Sequence, residues 1–422
     1  MEFSELVEKE YNSISQAEGE NGFRKKAYEQ FLATGIPTTK HEEWKYTDFN
    51  KVLKNGYSVN NTDLKLEDIS QFLFPEMDVN LIVLVNGFVS PTLSKITKQT
   101  GLEIKNINEV AKDLDQEIDS TVNPFLFLNA ALSTNGIYLS VAENTIADKP
   151  IYVLNICDKR NNSVLVQPKN YIKIGKNAQV KIIEAYYCIG SNNSFTNVYT
   201  EIHAAENSVS ELYKLQLGDN ASSLVDSTNV YQSAKSTFTC STITLSGNIV
   251  RNNLNLILNG EFCEGNMNGL YMLNGNTLVD NHSSVDHAVP NCQSNELYKG
   301  ILDEKSTGVF NGKIFVRKDA QKTNAYQSNK NLLISDEAVV NTKPQLEIWA
   351  NDVKCSHGAT IGKLDKDMLF YLEARGISKK SARAILMNAF AHDVVDKISL
   401  APLKDYLNIL ILKRLGLDFL NE

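Results

Sequence analysis

Cysteine is scarce in this chain, six in 422 residues, and no two stand at C-x-x-C spacing. That excludes a disulfide scaffold and argues against the four clustered thiolates that hold a permanent iron–sulfur cluster within one chain. Proline (9) and glycine (22) are too few for a collagen-like or proline-rich disordered chain. A basic excess is missing as well. Lys and Arg number 42 against 50 Asp and Glu, a net charge of −8, the wrong sign for a phosphate-backbone binder, so no nucleic-acid partner is expected. Long apolar runs are absent. The longest, Leu81-Ile82-Val83-Leu84-Val85, falls far short of the roughly 20 residues of a membrane span. The N-terminal MEFSELVEKEYN lacks a basic segment followed by an apolar core, so no secretory leader is expected. A cytoplasmic protein with reduced thiols and no membrane contact is the expectation.

What is present is globular: 42% hydrophobic and 22% charged residues, enough apolar mass for a sizeable core. At roughly 100–200 residues per domain, two to four domains are expected. The chain begins helically. Phe3, Leu6, Val7 and Tyr11 share one face, and Phe23, Ala27 and Phe31 form a second stripe stopped by Gly35-Ile36-Pro37. The polar segment TTKHEEWKYTDF, residues 38–49, carries two buried-looking aromatics, Trp44 and Tyr46. From about residue 80 to 350, short β-branched and aromatic runs alternate with Asn, Gly and Ser, which reads as strands. Ala142-Glu143-Asn144, Gly175-Lys176-Asn177 and Ala205-Glu206-Asn207 repeat a pattern of small residue, charge, Asn, and Asp219-Asn220 and Asp336-Glu337-Ala338 look related. Asn suits corners because it tolerates left-handed backbone. The repeat fits a parallel β-helix or, equally permitted by the pattern, a β-sandwich with Asn-rich turns.

From Asp365 the chain is helical again. Asp365 and Ser378 are candidate N-caps, Gly376 and Gly416 candidate stops, and Pro402 opens a third helix. Met368, Tyr371 and Leu372 make the first apolar face. Ala382, Ile385, Leu386 and Ala389 make the second, and Leu403, Tyr406, Leu407, Leu410 and Ile411 the third.

Candidate chemistry is thin. Gly308-Val309-Phe310-Asn311-Gly312-Lys313-Ile314 resembles a P-loop but has three residues between its glycines and Ile where a Mg²⁺-binding hydroxyl belongs. His282 and His287, followed by Cys292, are either a metal site that needs a bend in the strand or histidines bonded within the β region. Cys355 and His357 are two apart, on one face if extended, and a thiol with an imidazole suits iron, zinc or copper. Two ligands leave a metal undersatisfied, so a partner would supply the rest, or the pair is merely structural.

Longer motifs carry a resemblance. TKPQLEIWANDVKCSHGATIG from Thr342, LFYLEARGIS at 369–378, GIPTTKHEEWKYT at 35–47, DNHSSVDHAVPNCQSNELYKGIL at 280–302, GVFNGKIFV at 308–316 and AQKTNAYQSNKNLLIS at 320–335 are similar to the SufB/SufD family of iron–sulfur cluster assembly scaffold proteins. The resemblance covers nearly the whole chain. SufB carries His-Glu-Ala-Thr where this chain has His357-Gly358-Ala359-Thr360, and residues 320–348 hold no cysteine; both departures favour the SufD branch.

The resemblance implies a mainly β protein, a right-handed parallel β-helix core (81–355) between helical N-terminal (1–80) and C-terminal (356–422) domains. It implies a non-enzymatic subunit that pairs with SufB, with a homodimer as the alternative for the isolated chain. The ATPase SufC would dock on the C-terminal helices, at Phe370, Tyr371, Leu372, Arg375, Gly376 and Ile377. It implies no cofactor held by the chain alone, but a transient iron–sulfur cluster or iron at the SufB interface. His357 matches the family's interfacial histidine, with Cys355 beside it. A purely structural subunit without a ligand of its own is the alternative. Trp349 is either an anchor of the SufB seam or packed inward against the C-terminal helices. Removal of residues 365–422 is expected to leave the β core folded, since a solenoid is stabilised mainly by neighbouring turns.

Overall fold

The computed structural model describes residues 2–18, 21–74, 77–110 and 123–417. Helices α1 (Phe3–Glu18) and α2 (Gly22–Thr34) form where the sequence stripes lie; Leu6, Val7, Ala27 and Phe31 are buried. The Asn21 side chain accepts from the Phe23 and Arg24 amides at the start of α2, and Gly35, at φ +63°, ends it. A single turn, α3 (Leu66–Ile69), and α4 (Pro124–Leu132) complete the N-terminal helices. Trp44 is buried against Phe125 of α4, whereas Tyr46 is exposed and carries Lys45 over its ring, contrary to its buried look in the sequence.

Among the described residues twenty strands follow in chain order. They are β1 (Asn80–Val85), β2 (Phe88–Val89), β3 (Leu102–Asn106), β4 (Ile137–Val141), β5 (Ile151–Asp158), β6 (Val164–Val166), β7 (Lys169–Ile174), β8 (Gln179–Ile189), β9 (Ser194–Ala204) and β10 (Val209–Leu217). Then come β11 (Ser222–Gln232), β12 (Thr237–Ser246), β13 (Ile249–Leu258), β14 (Glu264–Leu273), β15 (Leu278–His287), β16 (Gln293–Leu302), β17 (Thr307–Val316), β18 (Thr323–Leu333), β19 (Val339–Ile348) and β20 (Val353–Gly362). One sheet has the order β2-β1-β5-β8-β10-β12-β14-β16-β18-β20, the other β19-β17-β15-β13-β11-β9-β7-β4-β3 with β6 beside β9. Successive long strands alternate between sheets and pair in parallel, which is a β-helix of about eight turns.

The corners explain both the visible repeat and its fading. Asn144, Asn177, Asn207, Lys235, Phe262, Asn291 and Lys322 all hold φ between +58° and +65°. From the second of these on, the next residue is small and buried: Ala178, Ser208, Ser236, Cys263, Cys292 and Thr323. The Asn177 amide donates to Asn144 Oδ1 (2.7 Å), and Asn207 to Asn177 Oδ1 (2.8 Å). Where Lys or Phe stands instead, stacking turns hold the strained backbone and the sequence signal is lost. Asp219-Asn220 and Asp336-Glu337-Ala338 belong to another corner line and lack the positive φ.

The interior is apolar for most of its length, from Ile82 and Leu139 to Phe310. It also encloses a polar knot in which Lys214 Nζ reaches Asp226 Oδ1 (2.5 Å), Thr228 Oγ1 (2.7 Å) and Glu184 Oε2 (3.2 Å).

The C-terminal helices are α5 (Lys366–Ala374), α6 (Lys379–Val395) and α7 (Ala401–Arg414), with Asp365 and Ser378 as side-chain N-caps and Gly376 and Gly416 at positive φ. The last strand runs to Gly362, so the boundary expected at 355 falls inside β20. α6 and α7 lie on the outer face of the β20-containing sheet, where Val394, Leu403, Leu407 and Ile411 bury against Ile243, Leu270 and Ile301. One expectation needs correction. The buried residues of α6 are Ala382, as expected, with Ala384, Ala391, Val394 and Val395, and Met387 and Phe390 lie beside them, while Ala389 is exposed. Removal of residues 365–422 would uncover the apolar sheet face that α6 and α7 cover. α5 has no buried residue at all.

Candidate functional site at the open end of the solenoid

The two ends of the β-helix differ. At the first, short antiparallel strands β2 and β3 close the sheets. At the last, β19 and β20 are the terminal strands of their sheets, with no further strand beside them among the described residues. An uncovered edge presents unpaired backbone N–H and C=O groups.

Cys355, His357, Ala359 and Ile361 stand on β20 in register with Ala325, Gln327, Asn329 and Asn331 of β18, all four buried in the interior. The same column is therefore inward-facing, yet His357 is exposed because no further turn covers it. Cys355 is half-buried against Ile314, Val316 and Ala325, and burial pushes its thiol pKa up. Cys355 and His357 do share one face, as their spacing required. Nothing lies within 4 Å of where a Cβ on Gly358 would sit, so the absence of the SufB-type Glu is not steric.

Trp349 follows β19 and is 50% exposed, with the Arg317 guanidinium 5.5 Å from its ring centroid. It does not pack inward against the C-terminal helices; that alternative is overturned. Ile348, Val339, Tyr326 and Ile361 are also exposed, giving the open end an apolar rim. On α5, Phe370 (71%) and Tyr371 (57%) point into solvent and Arg375 lies over Tyr371 at 5.0 Å. Leu372 and Ile377 are half-buried, and the Ile377 amide donates to the Leu372 carbonyl past Gly376.

Two residues behind His357 escaped the sequence reading. Glu296, Gln327 and His357 are register partners on successive turns. Glu296 Oε2 accepts from Ser283 Oγ (2.7 Å) and Gln327 Nε2 (3.3 Å), and burial pushes its pKa up to about 7. A Glu in a polar strand reads as outward-facing; only the register turns it in.

The histidine motif does not assemble with Cys292. His287 points inward, bonds Ser294 Oγ (2.9 Å), and burial lowers its pKa to about 4. His282 lies on the opposite face, between Asp280 Oδ1 (3.0 Å) and Glu43 Oε2 (3.3 Å). The Glu43 carboxyl is held down to about 2, first by the His282 hydrogen bond and also by Lys313. Asp280 is buried with Arg251 (2.5 Å) and accepts from Thr47. These residues pin the segment 42–47 onto the β-helix. Lys313 of the P-loop-like run is bonded to Glu43 (2.6 Å) on strand β17, so no phosphate cradle forms. Among the described residues no group of three or more His, Cys, Asp or Glu side chains is arranged for a metal, and no helix is long and apolar enough to cross a membrane.

Fold and open end together define a parallel β-helix protein with helices at both termini. Family models narrow this: "SUF system FeS cluster assembly, SufBD core domain" matches residues 156–390, and "SufBD protein N-terminal region" matches 1–153. An iron–sulfur cluster assembly SufBD family protein of Synechocystis is 33% identical over 387 residues, covering 87% of this chain and 85% of that one. The iron–sulfur cluster assembly protein SufD of Escherichia coli is 30% identical over 390 residues, 92% and 90% of the two chains. The chloroplastic protein ABCI7 of Arabidopsis thaliana is 27% identical over 398 residues, 90% and 83%. The chain belongs to the SufBD family of iron–sulfur cluster assembly proteins and is SufD-like.

Proposed function

We propose that this chain is the SufD-type subunit of a cytoplasmic SUF scaffold complex, pairing through its last turn with a SufB-type chain and through α5 with a SufC-type ATPase. The observation that carries this is the joint ending of both sheets on uncovered strands, β19 and β20, on the turn that bears Cys355 and His357. A partner strand would satisfy those backbone groups and cover the apolar rim of Ile348, Trp349 and Ile361. His357 would then face the partner's ligands across the seam and hold iron or a nascent cluster as cargo, through a neutral imidazole nitrogen. Cys355, half-buried and protonated, is the weaker candidate ligand. ATP-driven closure of the ATPase pair would pull α5 and, through α6 and α7, shift the sheet they cover as a rigid body. The chain itself turns nothing over; in isolation it would hold no cluster, and the same edges would let it form a homodimer.

The test is co-expression with a SufB and a SufC, wild type against His357→Ala. The exposed position predicts an intact complex, with iron content and cluster formation reduced about tenfold or more. Wild-type cluster assembly by an intact His357→Ala complex would remove the ligand role and leave a purely structural subunit.

A further inference from the structure

At the far end of strands β5 and β8 the interior column brings two thiols together. Cys157 and Cys188 are register partners in adjacent parallel strands, so their side chains stack on one face across a strand spacing of about 4.8 Å. Cys157 is buried and Cys188 half-buried. Both line a cavity of about 30 Å³. Its nearest oxygens are hydroxyls: Thr196 Oγ1 is 3.3 Å from Cys157 Sγ, and Ser222 Oγ and Ser194 Oγ are 2.9 and 3.9 Å from Cys188 Sγ.

A charge relay stands behind Cys188. Ser222 Oγ donates to Asp219 Oδ1 (2.7 Å), which also accepts from Lys159 Nζ (2.7 Å). The Lys159 side chain is 0% exposed and that of Asp219 is 47% exposed. Because the single Ser222 proton is spent on Asp219, its oxygen accepts from the Cys188 S–H. The thiol proton thus has a path to a solvent-exposed carboxylate, beside a buried ammonium. Each thiol acts on the other first: the pair lowers Cys188 and raises Cys157. Burial raises both, and for Cys188 the Ser222 bond and Lys159 add to the lowering while the Asp219 charge opposes it.

We propose that Cys157 and Cys188 form a binding site for a single soft monovalent cation of the cuprous type, separate from the open end of the solenoid. The cavity is the size of one ion or one water. It is lined by two sulfurs and by no imidazole or carboxylate. Two thiolates suit Cu(I); Zn²⁺, which takes four N, S or carboxylate ligands, is left short. Binding exchanges two S–H bonds for two sulfur–metal bonds with no change of oxidation state. Two protons leave, one of them by Ser222 and Asp219, and the single negative charge that results lies near Lys159. The chain contains its own control. Cys263 and Cys292 neighbour each other at buried corners, but their thiols are bonded to the Ser233 carbonyl (3.0 Å) and the Gly260 carbonyl (3.2 Å).

The experiment is anaerobic titration of the full chain with Cu(I) buffered by bicinchoninate. A single Cu(I) per chain is expected at this site, bound about 100-fold more weakly by Cys188→Ser and by Cys157→Ser, and unchanged in Cys292→Ser. Zn²⁺ in place of Cu(I) should not occupy the site. Stoichiometric Cu(I) should also protect Cys188 of the wild-type chain from alkylation, a readout that needs no variant to fold. Equal Cu(I) affinity in a folded Cys188→Ser chain, or an unchanged alkylation rate at Cys188, overturns the proposal.

Discussion

Two ionisable side chains inside the β-helix titrate in opposite senses. Burial lowers His287 from 6.5 to about 4 and raises Glu296 from 4.5 to about 7. As pH falls from 6.5 to 4 the unfolded chain binds the His287 proton and the folded chain does not, so stability is lost, about 3 kcal/mol over the window. Glu296 works the other way. The folded state keeps its proton up to about 7 and the unfolded state releases it at 4.5, so stability is lost as pH rises through that window. Between about 4.5 and 6.5 the two slopes offset each other. Glu296→Gln removes one of them. Its unfolding free energy should therefore rise with pH, relative to wild type, by about 1.4 kcal/mol per unit in that window. A variant with the wild-type pH slope in denaturant melts would show that the carboxyl titrates normally. The same carboxyl lies two turns behind His357, on the column that leads to the open end.

At the scale of strands and corners, the backbone is conserved along the solenoid while the residues that suit it are not. Phe262 is 57% exposed and holds φ +65°, a conformation that costs an ordinary side chain about 1–2 kcal/mol. Phe262→Asn, matching the Asn corners before it, should raise the melting temperature by about 2 °C, read by circular dichroism. The last strands carry the opposite liability, since no strand among the described residues covers them. Trp349→Asp removes an aromatic from the rim without touching the core, so folding and melting should stay as in wild type. Affinity for a SufB-type partner should fall about tenfold or more. Unchanged affinity in the folded variant would take Trp349 out of the seam.

For the whole molecule, the helices at the C-terminus divide into two roles. α6 and α7 are structural, because they cover the outer sheet face through Leu403, Leu407 and Ile411. Leu407→Ala should cost about 2–5 kcal/mol of stability. α5 contributes nothing buried and presents Phe370 and Tyr371. Replacing both with Ser should abolish capture of a SufC-type ATPase in a pull-down and leave the melting temperature where it was. Retained capture would move the docking site elsewhere. The pair of experiments separates docking from folding, which deletion of residues 365–422 would confuse.

The sequence by itself determined the strand-rich middle, the helix caps at Asp365, Ser378, Gly376 and Gly416, the first three Asn corners and the family. Each rests on local chemistry: a side chain that caps its own helix, a residue that tolerates positive φ, a motif read in line. Tertiary structure decided everything that depends on register between turns. Only stacking brings Cys157 to Cys188, and Glu296 and Gln327 behind His357, because partners about 30 residues apart meet through backbone pairing that no local pattern encodes, and only the docking of segment 42–47 on the β-helix brings Glu43 to His282. Stacking also hid the later corners, since neighbouring turns hold Lys235, Phe262 and Lys322 in a backbone their own chemistry disfavours. The exposure of His357 is likewise a property of position: the same column is interior on every earlier turn and open on the last, where the solenoid stops.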